Sequence, residues 1–538
     1  MTSTPILTVE DLRISFGAVN ALNGLSLELE PGRALGLVGE SGSGKSAAAL
    51  SLLGLHRGTG AQVGGRILLH PRPTGAGEIA EPVDINTADD ETLRRIRGRE
   101  LAMIFQEPLT SLDPYHRVGD QIAGVHRLHF RSGPDEARAR AAQALEQVGI
   151  DARSKYRAYP HEFSGGMRQR ALIAMALVLE PRVLVADEPT TALDVTVQAQ
   201  ILQLLGRLRE EIGLSLILIS HDLAVVGGNV DDVLVLKSGD EVERGPVREV
   251  LTRPQHAYTK DLLNAIPRLD AELPTRIAAS AEPLLKVTDL SVVFPSHRGS
   301  AATTAVDGVS LELLNGESLG VVGESGSGKS TLGRSIVRLQ KPTSGRIEFA
   351  GRDLGSWRGK ALRDHRRDLQ LIFQDPASSL NPRRSIGDSI AEPLIVHGEK
   401  DRDRLRAAVD GMLERVGLDD SLYHRYPHQL SGGQRQRAAI ARALILRPRL
   451  VVCDEPVSAL DVTTQAQVVK LLRELREEFE LTLVFIAHDL AVVRQVSDRI
   501  AVMNRGRIVE LLPAAGLHEA QDPYTRALLS AVPELPVA

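Results

Sequence analysis

The 538-residue chain has little cysteine, no long apolar run and no surplus of basic charge, and each shortage excludes a class of function. Its one cysteine, Cys453, rules out an intramolecular disulfide and any multi-cysteine zinc or iron–sulfur site. The neighbours Leu-Val-Val-Cys-Asp-Glu read as a buried strand, so the thiol is expected to be an inert core residue acting as a small hydrophobe. No stretch approaches the roughly 18 consecutive apolar residues that a membrane span needs, and MTSTPILTVEDL lacks a charged-then-apolar leader pattern. The expectation is a cytosolic protein that reaches a membrane only through a partner. Lys and Arg number 64 against 69 Asp and Glu, a net charge of −5, which gives no bulk attraction for nucleic acid.

What is present is enough chain for two hydrophobic cores, with 43% apolar and 25% charged residues. The sequence also repeats itself. ILTVEDLRISFG from Ile6 returns as PLLKVTDLSVVFP from Pro283. LGLVGESGSGKS, ending at Ser46, returns as LGVVGESGSGKS, ending at Ser330; FSGGMRQR from Phe163 returns as LSGGQRQR from Leu430. VLVADEPTTALD, ending at Asp194, returns as LVVCDEPVSALD, ending at Asp461. The spacing is held: Ser164 to Glu188 and Ser431 to Glu455 are both 24 residues, and Glu188 to His221 and Glu455 to His488 are both 33. The first copy carries about 16 extra residues before Gln106, placed in the Pro/Gly-rich HPRPTGAGEIAEPVD, which reads as a surface loop. Apolar strands alternating with helical patterns predict two α/β domains with largely parallel sheets, residues 1–268 and 284–538, joined by a linker at 269–283. Asp135 to Val148 and Asp401 to Val416 read as amphipathic helices.

Gly39 to Ser46 and Gly323 to Ser330 fit G-x-x-x-x-G-K-[ST], each between an apolar strand and a helix. In such a loop the glycines let backbone N–H groups converge on phosphates and the helix N-terminus favours negative charge. The lysine reaches the β and γ phosphates and the serine ligates Mg²⁺. The expected ATP-binding residues are Gly39, Ser41, Gly42, Gly44, Lys45, Ser46 and Ala47, and their counterparts Gly323, Ser325, Gly326, Gly328, Lys329, Ser330 and Thr331. Asp187 and Asp454 end apolar strands and are candidates to hold Mg²⁺, while Glu188 and Glu455 are placed to polarise an attacking water. A solvated turn or a helix cap is the alternative for each acidic pair.

With FSGGMRQR and LSGGQRQR the chain resembles the ABC (ATP-binding cassette) ATPase family over nearly its whole length. The resemblance implies two nucleotide-binding domains, each a RecA-like core with a β-subdomain and an α-helical signature subdomain. It implies that Phe16 and Phe294 stack on adenine, although strand packing is also open to both. It implies too that Gln106 and Gln374 sense Mg²⁺ and the membrane partner, that Asp194 and Asp461 communicate between sites, and that His221 and His488 contact the γ-phosphate. In the family two cassettes pair head to tail. Lys45, Gln106, Glu188 and His221 are thereby expected to work with the signature Ser431 and Gly433, and Lys329, Gln374, Glu455 and His488 with Ser164 and Gly166; Gly165 and Gly432 complete the expected ATP-binding set. Met167 departs from the common signature glutamine, Phe163 from its leucine, and Ala47 stands opposite Thr331. No catalytic carboxylate or histidine is missing, so both sites are expected to hydrolyse ATP.

RGRELAMIFQEPLTSLDP (from Arg97) and LQLIFQDPASSLNPRRSIGDSIAEPL (from Leu369) resemble the glutamine-loop regions of bacterial peptide/nickel importer ATPases. PQHAYTKDLLNAIPRL (from Pro254) and DPYTRALLSAVPEL (from Asp522) resemble that subfamily's C-terminal extension, placed here at about 245–268 and 513–535. The resemblance implies two transmembrane permeases and an extracytoplasmic substrate-binding protein as partners, ATP and Mg²⁺ as cofactors, and a peripheral position on the cytoplasmic face of the membrane. Di- and oligopeptides are the default cargo, with glutathione, nickel, metallophores and peptide antibiotics also open. The cysteine cluster that binds an iron–sulfur centre in some members is missing, so none is expected. A ribosome-associated tandem ATPase is the main rival, but it typically has a long charged linker. An exporter ATPase is a further one.

Overall fold

The computed structural model describes residues 4–70, 81–106, 111–191, 193–270, 282–295, 302–375, 379–458, 460–533 and 535. Most of the expected linker, much of the Pro/Gly-rich loop, and parts of both glutamine-loop segments lie outside the described residues. So do Ala192, Ala459 and Glu534. Two compact units are formed, built mainly from the residues up to Ile266 and from Pro267 to Val532.

In the first unit an antiparallel sheet pairs β1 (Leu7–Phe16) with β2 (Val19–Leu29) and β4 (Ala61–Leu69), and β4 with the two-residue β5 (Val83–Asp84). A six-stranded sheet joins β3 (Ala34–Val38), β6 (Leu101–Ile104), β7 (Val183–Asp187), β8 (Ser215–Ser220), β9 (Asp232–Lys237) and β10 (Asp240–Pro246) in the order β10-β9-β3-β8-β7-β6. All its pairs are parallel except β9–β10. Strands β3, β7 and β8 are buried at every position, as their unbroken apolar sequences require of strands covered on both faces.

The second unit repeats this plan. Its antiparallel sheet holds β11 (Pro283–Phe294), β12 (Thr303–Leu314), β14 (Ser344–Phe349) and β15 (Arg352–Asp353). Its six-stranded sheet holds β13 (Ser318–Val322), β16 (Leu369–Ile372), β17 (Leu450–Asp454), β18 (Thr482–Ile486), β19 (Arg499–Asn504) and β20 (Arg507–Pro513), in the order β16-β17-β18-β13-β19-β20. Cys453 lies fully buried on β17, where burial pushes its thiol up to about 12.

Two details differ from the sequence reading. The end of the Pro/Gly-rich segment is a strand, because Val83 and Asp84 pair with Leu69 and Leu68. Its counterpart connection is only the turn Ala350-Gly351, so much of the extra length sits in one hairpin. Pro283, read as the end of the linker, is the first residue of β11, a position where a missing N–H costs no ladder bond.

The helices that matter to the sites are α1 (Lys45–Leu52), α2 (Val118–Phe130), α3 (Pro134–Gln147), α4 (Gly165–Leu177), α5 (Val195–Ile212) and α6 (Ala257–Ala265). In the second unit they are α7 (Lys329–Ile336), α8 (Ile386–Val396), α9 (Arg402–Arg415), α10 (Gly432–Leu444), α11 (Val462–Phe479) and α12 (Pro523–Ser530). The expected amphipathic helices are α3 and α9, which bury Ala137, Ala141 and Leu145, and Leu405, Val409 and Leu413.

Candidate nucleotide sites

Each phosphate loop is wedged between its two sheets. Gly39 and Gly323 begin the loops at the ends of β3 and β13, and a Cβ there would come within 2.2 Å of the Leu236 carbonyl oxygen or 2.1 Å of that of Met503. Gly44 and Gly328 cap α1 and α7 with φ of 103° and 102°, and a Cβ on either would meet the carbonyl of Ala21 at 2.3 Å or Ala305 at 2.1 Å. Only glycine satisfies both the positive φ and the close approach. Lys45 and Lys329 are buried, and each donates to the carbonyls of its own loop. The bonds are Lys45 Nζ to Gly39 O at 2.7 Å and Glu40 O at 2.8 Å, and Lys329 Nζ to Gly323 O at 2.7 Å and Glu324 O at 2.9 Å. Burial holds the Lys329 ammonium below its ordinary range, against the pull of Glu455.

The acidic pairs close β7 and β17. Glu188 and Glu455 adopt left-handed backbone, φ 46° and 49°, and their N–H groups donate to Ile219 and Ile486 of the neighbouring strands. Non-glycine residues in that region cost of order 1–3 kcal/mol and collect at functional sites. The turn aims each carboxylate at a glutamine: Gln106 Nε2 donates to Glu188 Oε2 at 2.9 Å and Gln374 Nε2 to Glu455 Oε2 at 2.7 Å. In the first unit the same oxygen accepts from the Thr191 hydroxyl at 2.9 Å and lies 3.3 Å from His221 Nδ1. Burial opposes the charge on Glu188, but His221 and Thr191 outweigh it and hold the carboxyl at about 2. Burial likewise opposes charge on His221, and Glu188 reverses the sign, so the imidazole is raised. Ser458 replaces Thr191 in the second unit and donates to the backbone carbonyl of Glu455 instead, at 3.2 Å. Among the described residues no ion pair joins His488 to Glu455.

Asp187 and Asp454 are buried beside the loop serines. Ser330 Oγ donates to Asp454 Oδ1 at 2.7 Å, and Arg334 Nη2 lies 3.5 Å from Oδ2. Leu50 takes the place of Arg334 in α1, and Asp187 Oδ1 is buried with no hydrogen-bond partner. Burial raises the Asp187 carboxyl, with the Ser46 hydroxyl pulling it back. A buried carboxylate oxygen without a donor, next to a serine hydroxyl and a glutamine amide, is a hard oxygen set that fits Mg²⁺.

Both signature serines cap helices. Ser164 Oγ accepts from Met167 N at 3.3 Å, and Ser431 Oγ from Gln434 N at 3.2 Å. In the second unit Gln434 Oε1 also accepts from Ser431 N at 3.0 Å, completing a capping box that Met167 cannot form. Gly165 and Gly432 are the first residues of these helices. Gly166 and Gly433 let α4 and α10 pack on the next helix, since a Cβ would lie 2.5 Å from Val197 or Thr464. Asp461 caps α11, accepting from Thr464 N at 2.9 Å and from the Thr463 hydroxyl at 2.7 Å. Asp194 accepts from Thr196 Oγ1 at 2.9 Å.

Of the remaining expected residues, Ser41, Gly42, Ser325 and Gly326 are exposed at the loop tips, and Thr331 follows in α7. Phe16 and Phe294 end β1 and β11 and are 39% and 42% exposed. The Phe16 ring meets His56 edge-on at 5.4 Å, and His56 Nε2 lies 2.9 Å from the Ala47 carbonyl oxygen. His56, Thr191 and Arg334 escaped the sequence reading because nothing in their local pattern marks them.

The sequence model of the ABC transporter family matches residues 22–191 and 306–458, and that of the oligopeptide/dipeptide transporter C-terminal region matches 242–289. The chain is 45% identical to the glutathione import ATP-binding protein GsiA of Salmonella choleraesuis (strain SC-B67), over 99% of this chain and 90% of that protein. It is 46% identical to the protein of the same name from Escherichia coli (strain K12), over 98% and 89%. With two phosphate loops, two signature helices and two carboxylate–glutamine pairs built alike, the chain is an ATPase belonging to the ABC transporter family, with two ATP-binding cassettes in one polypeptide.

Proposed function

We propose that this chain is the ATP-hydrolysing motor of an importer for short peptides of the glutathione class, working at the cytoplasmic face of a membrane. The observation that carries the reading is the alignment of the whole tandem, both cassettes included, with glutathione import ATP-binding proteins. Among the described residues no helix is long and apolar enough to cross a membrane; the transport path is assigned to partners. Two permeases and an extracytoplasmic substrate-binding protein are the partners proposed.

At each site Lys45 or Lys329 leaves its loop carbonyls for the phosphates, and the loop amides take up the negative charge. Ser46 with Asp187, and Ser330 with Asp454, would hold Mg²⁺ together with Gln106 or Gln374, and the ion would supply neutralisation of charge on the phosphates. Glu188 and Glu455 accept a proton from the attacking water, and His221 and His488 steady the γ-phosphate. The signature residues Ser164, Gly165, Gly166, Ser431, Gly432 and Gly433 are assigned to γ-phosphate binding, and Asp194 and Asp461 to communication between sites.

A groove of about 790 Å³ beside Gln106, lined by Phe105, Val125, Leu172 and Met175, supports a docking place for a short permease helix. Such a helix would sense the glutamine and, through it, the state of Glu188.

Copurification and uptake test the proposal. Tagged protein should bring down two multi-span permeases, and vesicles carrying the complex should accumulate radiolabelled glutathione or a dipeptide only with ATP. Recovery with ribosomes in place of permeases would sink it.

A further inference from the structure

The tyrosine of each C-terminal segment touches a phosphate loop. Tyr258, buried on α6, accepts a hydrogen bond through Oη from Glu40 N at 3.0 Å; Tyr524, on α12, accepts one from Glu324 N at 2.9 Å. Glu40 and Glu324 are the loop residues whose carbonyls also receive the lysine ammonium, so one peptide segment is held by its N–H to the extension and by its C=O to the catalytic lysine.

The far end of the tether is anchored too. Glu243 on β10 accepts from the N–H groups of Gln255 at 2.7 Å and His256 at 3.1 Å, fixing the start of α6. Glu510 on β20 does the same with Gln521 at 2.7 Å and Asp522 at 3.3 Å at the start of α12. Thr259 and Thr525, the next residues, are fully buried. The same four-part arrangement of edge-strand glutamate, helix start, tyrosine and loop amide occurs in both cassettes.

An N–H at the entrance of a phosphate loop has a choice of directions. Left without an acceptor it is a part-buried donor that leaves the loop free to turn toward another partner. With the tyrosine in place the entrance is fixed and the following amides keep their aim in the absence of nucleotide, which lowers the ordering cost of binding.

We propose that Tyr258 and Tyr524 are positioning residues for ATP, holding the entrance of each phosphate loop from the C-terminal extension. The proposal rests on the assignment of these loops as ATP sites. The test is the double variant Tyr258→Phe/Tyr524→Phe in the full chain, which keeps both rings and removes both acceptors. The KM for ATP should rise about fivefold, the effect of one lost hydrogen bond, with kcat falling far less and the unfolding temperature nearly unchanged. Amide exchange at Glu40 and Glu324 should quicken. An unchanged KM, or a fall in kcat that tracks a drop in unfolding temperature, overturns the proposal. Lys45→Ala/Lys329→Ala separates the two claims. If it abolishes ATP binding while the phenylalanine variant binds as wild type, positioning alone is wrong; if it binds ATP as wild type, the ATP-site assignment itself is wrong. Should the double variant fold poorly, exchange at Glu40 in Tyr258→Phe, read against the untouched Glu324 amide of the same molecule, decides.

Discussion

The two cassettes share a fold, a loop and a left-handed glutamate, yet they distribute their hydrogen bonds differently. In the first, Glu188 gathers Gln106, Thr191 and His221 on one oxygen, and Asp187 keeps an oxygen without a donor. In the second, Glu455 has its glutamine, while Asp454 takes both a serine hydroxyl and the nearby Arg334. The signature helices are unequal in the opposite sense, Ser431 having the full capping box and Ser164 half of it. The groups proposed to react are therefore the same in both cassettes, while the hydrogen bonds that support them differ.

The largest effect should come from the groups the cassettes share. Glu188→Gln and Glu455→Gln should each slow hydrolysis at their own site on the order of 10²- to 10⁴-fold, as loss of a general base does. Single-turnover measurements on each variant check this. One change abolishing all activity while the other does nothing would break the equivalence of the sites. Next, Gly44→Ala and Gly328→Ala force a methyl group against backbone oxygen at a positive φ. Each should destabilise its cassette by about 1–3 kcal/mol and weaken nucleotide binding, measured by urea unfolding and ATP titration.

The differences give smaller effects. With Asp454 proposed to hold Mg²⁺, Arg334 would compete for the same carboxylate, and Arg334→Leu should lower the Mg²⁺ concentration needed for half-maximal hydrolysis by about two- to fivefold, an ion pair whose arginine is half exposed being worth about 1 kcal/mol. No shift in the Mg²⁺ dependence would show that the arginine is a bystander. Smallest of all, Met167→Gln should complete the first capping box and stabilise that cassette by about 0.3–1 kcal/mol, with Gln434→Met losing as much in the second. Matched urea titrations would reveal it.

The residues proposed to react were legible as candidates in the sequence because each sits in a local pattern: a glycine loop after an apolar strand, an acidic pair at a strand end, a serine that opens a helix. The parallel sheet was legible for the same reason, from the unbroken apolar strands β3, β7, β13 and β17. Contacts between distant segments were not. Tyr258 lies 218 residues from the Glu40 amide that it accepts from, and Arg334 reaches Asp454 across 120 residues. Nothing in the local composition of either segment marks such a meeting. The short strand Val83–Asp84 was hidden by its Pro/Gly-rich approach, and is set by pairing with β4 and not by its own propensity. The exchange of Thr191 for Ser458 was visible as letters, but its consequence, a donor turned from carboxylate to backbone, needed coordinates.

Cys453 carries a practical consequence. It is the chain's only thiol, it is fully buried in a central strand, and its proton is held to about pH 12, so almost no thiolate exists at neutral pH to meet a maleimide or a spin label. The native protein is in effect already the cysteine-less background that labelling experiments usually require mutagenesis to reach. A single surface cysteine placed in each cassette can be modified selectively with residue 453 left intact, and the distance between probes followed through a turnover cycle in the otherwise unaltered motor.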